Sequence, residues 1–308
     1  MIKSLYWTDA IRFQEHPIFA FENGGNVYIW RYDLEQRGMM NQCAGTPLNG
    51  KSVSDHLSEY VGRISPSATE IHTKDIDISP GKFFPRIYRP GALEINFQED
   101  GCPISDRKAI GQCLVAFNIL LAKLKSIVEV VELNHQNLKV YGHEIRNLHI
   151  LASMEFESIL SAILRENSYP SGRWNTTDYV KLCEPLKLKS YVVKFNLYPD
   201  LRPITPFVNW DSARSTKSLD WYDAYNKTKH DRELNLKLST LEYALSSVAS
   251  IAILLQVQFG GNHSFWNQGE LANIDTKSNY NLKPEDFYVP FSLDKNIKTI
   301  WKKSSLPL

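Results

Sequence analysis

The sequence predicts an α+β protein in which a β-rich N-terminal part is followed by an α-helical C-terminal part. Short β-prone runs separated by turn residues fill residues 1–100. Between residues 101 and 261, apolar residues recur every three or four positions, which is the period of an amphipathic helix. The composition changes at Gly101-Cys102-Pro103. We therefore expect a β-rich domain over 1–100, a helical domain over 101–261 and a C-terminal extension over 262–308 that packs on the body.

Composition favours a soluble globular protein. The chain of 308 residues has a formal net charge of +1, with 43% hydrophobic and 22% charged residues. A non-specific polyanion binder would be more basic. The four cysteines form no Cys-x-x-Cys pair, so neither a disulfide framework nor a zinc site is expected and a cytoplasmic location is favoured. The most apolar run, residues 248–257, is about half the length that spans a bilayer, which predicts a core helix and no membrane association.

The clearest element of the N-terminal part is a β-hairpin. The β-prone runs 18–21 and 27–32 flank Asn23-Gly24-Gly25-Asn26, and such a sequence is typical of a tight hairpin turn. A short helix is expected over residues 53–61. Further short strands are expected over residues 70–73, 75–78, 83–88 and 92–97.

Two long amphipathic helices are predicted next, over about residues 105–131 and 140–166. Ser105 can cap the first helix. The apolar stripe of the second includes Leu148, Leu151, Ile159 and Ala162, and it also carries Glu144 and Glu155. A carboxylate on an apolar stripe is costly unless it is paired. We therefore expect Glu155 to have a partner on a neighbouring helix, and the candidates are Lys229, His230 and Arg232.

A proline-rich crossing leads to the last helices. Prolines at 199, 203 and 206 favour an extended path over residues 204–210, which Phe207 and Trp210 should anchor to the helices. A helix is predicted over about 218–231 and a core helix from residue 241 to the glycines at 260–261. Ser239 and Glu242 have the spacing of a capping box for that core helix.

The helix over 218–231 concentrates the chemically capable side chains. By helical spacing Tyr222, Asn226, Lys229 and Glu233 share one face, and His230 lies one turn from Asn226. Metal-free RNA cleavage needs a base for the 2′-hydroxyl and cations for the phosphate. Since histidine titrates near neutral pH, this set could supply both.

Other interpretations of the same residues stay open. Trp210, Trp221, Tyr222 and Tyr225 could stack on bases, although aromatic residues in a proline-rich crossing or on a helix more often pack a core. The polar face could instead be a structural ion-pair network with Glu144, Glu155 and Glu157. A ligand-binding sensor that uses the aromatic crossing is a third class.

Several kinds of site are disfavoured. His143 and His149 are six residues apart and do not share a helical face well, so no metal site is predicted. The chain has no Gly-x-x-x-x-Gly-Lys-Ser/Thr loop, no Gly-x-Gly-x-x-Gly motif and no Gly-x-Ser-x-Gly elbow. No cofactor is therefore expected.

The motif order of residues 105–260 resembles that of HEPN domains in bacterial and phage-encoded proteins. A long helix carries Glu144-Ile145-Arg146-Asn147-Leu148 and Met154-Glu155-Phe156-Glu157 and is followed by Ile204-Thr205-Pro206-Phe207-x-x-Trp210. An apolar helix comes after Trp221-Tyr222-x-Ala224-Tyr225-Asn226-Lys227-x-Lys229-His230-Asp231-Arg232. The Tyr-Asn-x-x-Lys-His-x-Arg string is the most specific part of this resemblance.

HEPN domains are helical bundles that often dimerise, and many are metal-independent endoribonucleases in phage defence or stress response. The resemblance implies a cytoplasmic homodimer that binds or cleaves RNA. It implies that His230 is the general base or acid, that Lys229 and Arg232 hold the phosphate, and that Asn226 orients it. Glu155 would fix His230 or the cations, and the implied substrate-binding residues are Trp221, Tyr222, Tyr225 and Arg146.

One feature departs from the family pattern. The family's catalytic Arg precedes its His with four to six residues between them, and those positions before His230 hold Tyr225, Ala224 and Asp223. The Arg role would then fall to Lys229 or Arg232. HEPN-like domains without the motif serve as binding or dimerisation modules, which is the alternative function.

Overall fold

The computed structural model of the chain is a mixed α+β structure, as the sequence predicts. It describes residues 2–7, 17–33, 38–42, 45–66, 71–76, 78–90, 107–260, 273–289, 291 and 301–308. The chain forms two compact units. The first consists of residues 1–105 and 281–304, and the second of residues 106–280 and 305–308. The C-terminal segment is thus shared between the two units.

The first unit is built on a six-stranded antiparallel sheet. The strands are β1 (Ile2–Trp7), β2 (Ile18–Asn23), β3 (Asn26–Asp33), β4 (Gly38–Gln42), β5 (Thr46–Pro47) and β6 (Ile71–Ile76). Their order in the sheet is β4-β3-β2-β1-β6, and β5 pairs with the free end of β3. The two strands predicted over 70–73 and 75–78 are one strand, β6, whereas the strand predicted over 92–97 lies outside the described residues.

The predicted hairpin is confirmed. Strands β2 and β3 are joined by Gly24 and Gly25, whose φ angles are +59° and +76°. Both angles lie in the left-handed region that a two-residue type I′ turn requires, and glycine adopts it without a side-chain clash.

The sheet of the first unit is buried on both faces. Helix α1 (Val53–Ile64) covers one face, where Leu57 and Val61 pack on β2 and β3. Its predicted existence is confirmed, and Ser52 and Asp55 form its capping box. On the opposite face Phe287 packs its ring 5.5 Å from that of Phe19.

Residues 281–304 complete the first unit. The fully buried Tyr288 donates its hydroxyl to the carbonyl of Ile87 at 2.8 Å and accepts from the amide of Phe84 at 3.0 Å. Strand β10 (Lys302–Lys303) pairs in parallel with β7 (Lys82–Phe83). The strand predicted over 83–88 is therefore shorter than expected, because the chain turns after Phe84 and Arg86 takes a φ of +60°.

The second unit is mainly helical. Helices α2 (Arg107–Val128) and α3 (His143–Glu166) confirm the two predicted long helices, while the Ser105 cap lies outside the described residues. α3 packs against α2, against α5 (Asp220–His230) and against α7 (Leu241–Phe259). Leu151 is 39% exposed, contrary to its predicted place on the buried stripe, because the buried face of α3 is centred on Ala152 and Phe156.

Helix α7 is the core helix of this unit. It ends at Gly260, whose φ is +77°, as the sequence predicts. By length and composition alone, α7 and α2 could each cross a membrane, but 78% of the apolar window of α7 is buried inside the structure, compared with 39% for α2. This burial makes α7 a core helix of the second unit.

The capping box predicted for α7 is wrong. Thr240 is the N-cap residue, and the Ser239 hydroxyl lies 2.7 Å from Nδ1 of His149 instead. The first α7 amide, that of Leu241, donates to the carbonyl of Val140 at 2.8 Å. A backbone acceptor thus replaces the side-chain cap.

The crossing before α5 is anchored by Phe207 and Trp210 as predicted, but its path is not extended over 204–210, because residues 206–209 form a turn in which the Trp210 amide donates to the Phe207 carbonyl at 3.0 Å. The rings of Phe207 and Trp210 lie 6.0 Å and 5.8 Å from that of Phe156 on α3. Earlier in the chain, α4 (Thr176–Tyr179) is a short helix, and β8 (Tyr191–Phe195) pairs with β9 (Ile274–Ser278).

Candidate functional site

The predicted site helix is α5, and it ends at His230. Asp231 breaks it with a φ of −142° and caps the next helix, α6 (Arg232–Asn235), by accepting from the amide of Leu234 at 3.1 Å. Glu233 therefore belongs to α6, and its predicted place on one face with Tyr222 is wrong.

The carboxylate of Glu157 on α3 interacts with the tyrosines on the side of α5 that packs on α3. The Tyr222 hydroxyl donates to Oε1 of Glu157 at 2.6 Å. Burial, together with the charge of Glu157, raises the pKa of both Tyr222 and Tyr225, so both phenols stay protonated. Lys229 Nζ donates to the Tyr225 hydroxyl at 2.9 Å, and this bond raises the pKa of Lys229. We call Glu157, Tyr222, Tyr225, Asn226, Lys229 and His230 the α3–α5 face.

The predicted pairing of Glu155 with a cationic residue of the α5 region is wrong. It is half-buried, and burial raises its pKa. Within the described ranges it forms no hydrogen bond or ion pair with Lys229, His230 or Arg232. Two residues turn a helix by about 200°, so Glu155 and Glu157 lie on different sides of α3, and only Glu157 is on the α5 side.

Three predicted site residues have unengaged side chains. His230 and Arg232 are exposed, and Asn226 is half-buried. In the part of the chain that the structure describes, none of these three side chains makes a hydrogen bond or ion pair. All three lie near the C-terminal end of α5, where the helix dipole favours positive charge. The three side chains are therefore open to a ligand, and because the helix dipole at this end repels anions, the charge of Arg232 would have to attract an anionic one.

The four residues predicted to bind substrate have internal contacts instead. Trp221, Tyr222 and Tyr225 are buried, and the Trp221 ring packs edge-on at 5.1 Å from that of Phe156. A buried ring has no free face for a base, so the structure gives these residues a packing role. Arg146 is half-buried and donates to the Thr228 carbonyl at 3.3 Å.

His149 supports α5 from the core. It is fully buried, with Nε2 2.8 Å from the carbonyl of Trp221 and Nδ1 2.7 Å from the Ser239 hydroxyl. Because a carbonyl only accepts, Nε2 carries the proton and Nδ1 accepts from Ser239. Burial lowers the pKa of His149 to about 4, so this histidine is neutral near pH 7. The sequence signal for a buried His149 was its position beside Leu148 and Ala152 on the apolar stripe of α3.

Sequence reasoning missed an aromatic and cationic segment, which we call the 169–181 segment. The rings of Tyr169 and Trp174 lie 6.4 Å apart, and both residues are partly exposed. Lys181 Nζ donates to the Tyr169 hydroxyl at 2.6 Å and lies 4.9 Å from the ring centroid. The exposed Arg173 is close enough to Lys229 for its charge to oppose the protonation of Lys229. The segment therefore adjoins the α3–α5 face.

Among the described residues, no group of three or more His, Cys, Asp and Glu side chains could hold a metal ion. Comparisons with protein-family models, with curated proteins and with solved structures give no match to this chain. The chemistry of the α3–α5 face and of the 169–181 segment is therefore the basis on which a function is inferred.

Proposed function

We propose that the helical unit is a HEPN-like domain that binds and cleaves RNA without a metal ion, with His230 as the proton-transfer group. The observation that carries this proposal is the exposure of His230 at the end of α5, between Lys229 and Arg232, with no competing side-chain contact within the described ranges. A general base must be able to approach the proton that it abstracts, and His230 is free to do so.

The reaction that fits these residues is an internal transfer at the phosphodiester. Neutral His230 would take the proton of the 2′-hydroxyl, and the 2′-oxygen would attack the adjacent phosphorus. The bond between the phosphorus and the 5′-oxygen breaks, which leaves a 2′,3′-cyclic phosphate. The leaving 5′-oxygen takes a proton from water and becomes a 5′-hydroxyl. Lys229 and Arg232 would stabilise the negative charge that develops on the phosphate oxygens.

The 169–181 segment supports binding of a single strand. Its Tyr169–Trp174 pair offers partly exposed rings on which bases can stack, and stacking is worth about 1–3 kcal/mol per base. Arg173 and Lys229 together provide positive charge for the backbone phosphates. The chain's net charge of only +1 makes this a local binding surface.

The alternative, a non-catalytic module held by an ion-pair network, has less support. Within the described residues, the segment 226–232 forms one ion pair, between Lys227 and Asp223 at 2.5 Å, on the exposed side of α5. A network that explained the polar face would engage His230 and Arg232 as well.

We extend the proposal to a homodimer that acts in phage defence or stress response, as the HEPN resemblance implies.

The test of catalysis is cleavage of a mixed RNA pool in EDTA. Wild-type protein should cleave the pool and leave 2′,3′-cyclic phosphate ends, while His230→Ala should stay folded and lose cleavage. His135→Ala is the matched control, because His135 is another exposed histidine of the same unit and should keep full activity. Absence of wild-type cleavage, or cleavage that survives in His230→Ala, would contradict the catalytic proposal.

Binding is measured separately with uncleavable 2′-deoxy-substituted RNA. Trp174→Ala removes a stacking ring, and the affinity should fall roughly tenfold for a loss of ~1.4 kcal/mol. Arg173→Gln should weaken binding and reduce its salt dependence. Lys108→Gln removes an exposed cation at the start of α2 and should change nothing. Unchanged affinity in both site variants would argue against RNA binding at this surface.

A further inference from the structure

A groove in the strand-rich unit, far along the chain from α5, has the features of a ligand site. It lies between α1 and the β3–β5 edge of the sheet and has a volume of about 540 Å³. Small-molecule sites typically have volumes of ~300–1,000 Å³. All the residues that line it belong to the first unit.

The groove has an apolar floor and a polar rim. Val27 and Ile29 of β3 and Pro47 of β5 form the floor. On the rim, α1 contributes His56, Glu59 and Arg63, which share one helix face because their spacings are three and four. Lys51 enters from the loop before α1.

The rim carries more positive than negative charge. Lys51 and Glu59 form an ion pair, so their charges offset each other. The Arg63 guanidinium lies 6.0 Å from the ring centroid of Tyr60 and makes no hydrogen bond or ion pair within the described ranges. The nearby carboxylate of Asp55 is held by the backbone amide and the hydroxyl of Ser52. Glu59 also lies within the field of Arg63, so the rim carries one net positive charge from Lys51 and Arg63 against Glu59.

The rim is fixed before any ligand binds. The turn from Leu48 to Lys51 has Asn49 and Gly50 at φ angles of +47° and +78°, and it is closed by a 2.8 Å hydrogen bond from the Lys51 amide to the Leu48 carbonyl. Nε2 of His56 donates to the same carbonyl at 3.2 Å. This bond joins α1 to the turn and leaves Nδ1 of His56 without a hydrogen bond among the described residues.

We propose that this groove binds a small organic phosphate monoester of nucleotide size. Arg63 would bind two phosphate oxygens through its planar fork. The flat body of the ligand would lie against the exposed Pro47, above the buried Val27 and Ile29. A phosphate monoester fits better than a carboxylate, because its charge of nearly −2 at neutral pH and its three terminal oxygens match the several donors of the rim. This proposal does not depend on the RNA activity of the helical unit.

The experiment is a calorimetric titration of the full chain with AMP, adenosine and inorganic phosphate. AMP carries both the phosphate and a flat body, so it should bind at least tenfold more tightly than either part, a difference of ~1.4 kcal/mol or more. Failure of AMP to bind in the millimolar range would overturn the proposal. Equal affinity for inorganic phosphate would show that the apolar floor takes no part and would also overturn it.

Two variants locate the bound AMP. Arg63→Gln should weaken binding by roughly tenfold, as expected for a lost charge-assisted hydrogen bond. Gly62→Leu should block the groove, because Gly62 lines it and a Cβ there meets no heavy atom within 4 Å, so the helix tolerates the change. Gly111→Leu makes the same change on α2, where a Cβ also meets nothing, and should leave AMP binding intact.

A further variant separates this groove from the α3–α5 face. If AMP bound there instead, Lys229→Gln would abolish its binding while Arg63→Gln and Gly62→Leu would have no effect, and the proposal would be wrong. Thermal melts of each variant confirm that the fold is retained. Loss of RNA cleavage in His230→Ala has no bearing on this result, so the two proposals fail independently.

Discussion

Acidification should destabilise the helical unit through His149. Its imidazole is fully buried between the Trp221 carbonyl and the Ser239 hydroxyl, and burial lowers its pKa from 6.5 to about 4. Protonation would place a charge in the core and turn the Nδ1 acceptor into a second donor. The unfolded chain binds that proton more readily than the folded one, so the native state loses stability as the pH falls.

The size of the effect follows from the difference between the two pKa values. That difference is 6.5 − 4 = 2.5 units, and at about 1.4 kcal/mol per unit it corresponds to at most ~3.5 kcal/mol. The contribution is fully present above about pH 6.5 and is lost as the pH falls towards 4. Between about pH 7.5 and about pH 5, linkage removes about 2 kcal/mol.

Urea unfolding at a series of pH values measures this loss. The far-UV circular dichroism signal reports mainly on the helical unit, since most of the helix is there. His149→Gln has no titrating group, so its free energy of unfolding should be lower near neutral pH but should fall by about 2 kcal/mol less on acidification. His143→Gln, at the exposed first residue of α3, should keep the wild-type pH dependence. Equal pH dependence in wild type and His149→Gln would refute the mechanism.

Three further outcomes are expected. Tyr222→Phe leaves Glu157 without its 2.6 Å donor and should cost about 1–3 kcal/mol in urea unfolding, whereas Tyr141→Phe, at an exposed position, should cost nothing measurable. Gly25→Ala forces a side chain to a φ of +76° and should lower stability by about 1–2 kcal/mol, with Gly25→Asn losing less; equal costs for both would argue against backbone strain as the cause. Burial raises the pKa of the Cys183 thiol to about 11, so mass spectrometry should find it alkylated only after unfolding, and rapid labelling of the native protein would contradict this.

Elements defined by local signals were predictable from the sequence. The β2–β3 hairpin needed only two β-prone runs around Gly24-Gly25, and α7 needed only its apolar period and the Gly260 stop. The closing segment of the first unit had no such signal. Tyr288 bonds to Phe84 across 204 positions, and no local periodicity reports a pairing at that distance.

The site shows the same limit at the scale of one helix. Helical spacing showed that a carboxylate on the apolar stripe of α3 would need a partner. It could not show which neighbouring helix packs along each side of the buried face of α3. α5 packs on the edge that holds Arg146 and Glu157, and Glu155 lies on the other edge. The partner prediction was therefore wrong for both members of the pair, because the carboxylate that meets α5 is Glu157 and its donor is Tyr222. The predicted Ser239 cap of α7 was wrong for a related reason. A local capping pattern contains no information on His149, which lies 90 positions away and bonds to the Ser239 hydroxyl.

The environments of two histidines in the helical unit determine what each can do. His149 is neutral, buried and held at both nitrogens, so it fixes α5 in place but cannot exchange protons with a substrate. His230 is exposed at the end of that same helix and is free of side-chain contacts within the described ranges. Because acid destabilises the support under α5, RNA cleavage should fall below about pH 5 through the protonation of His149 alone. The role of His230 must therefore be tested near neutral pH, where the fold of wild type and variant is the same.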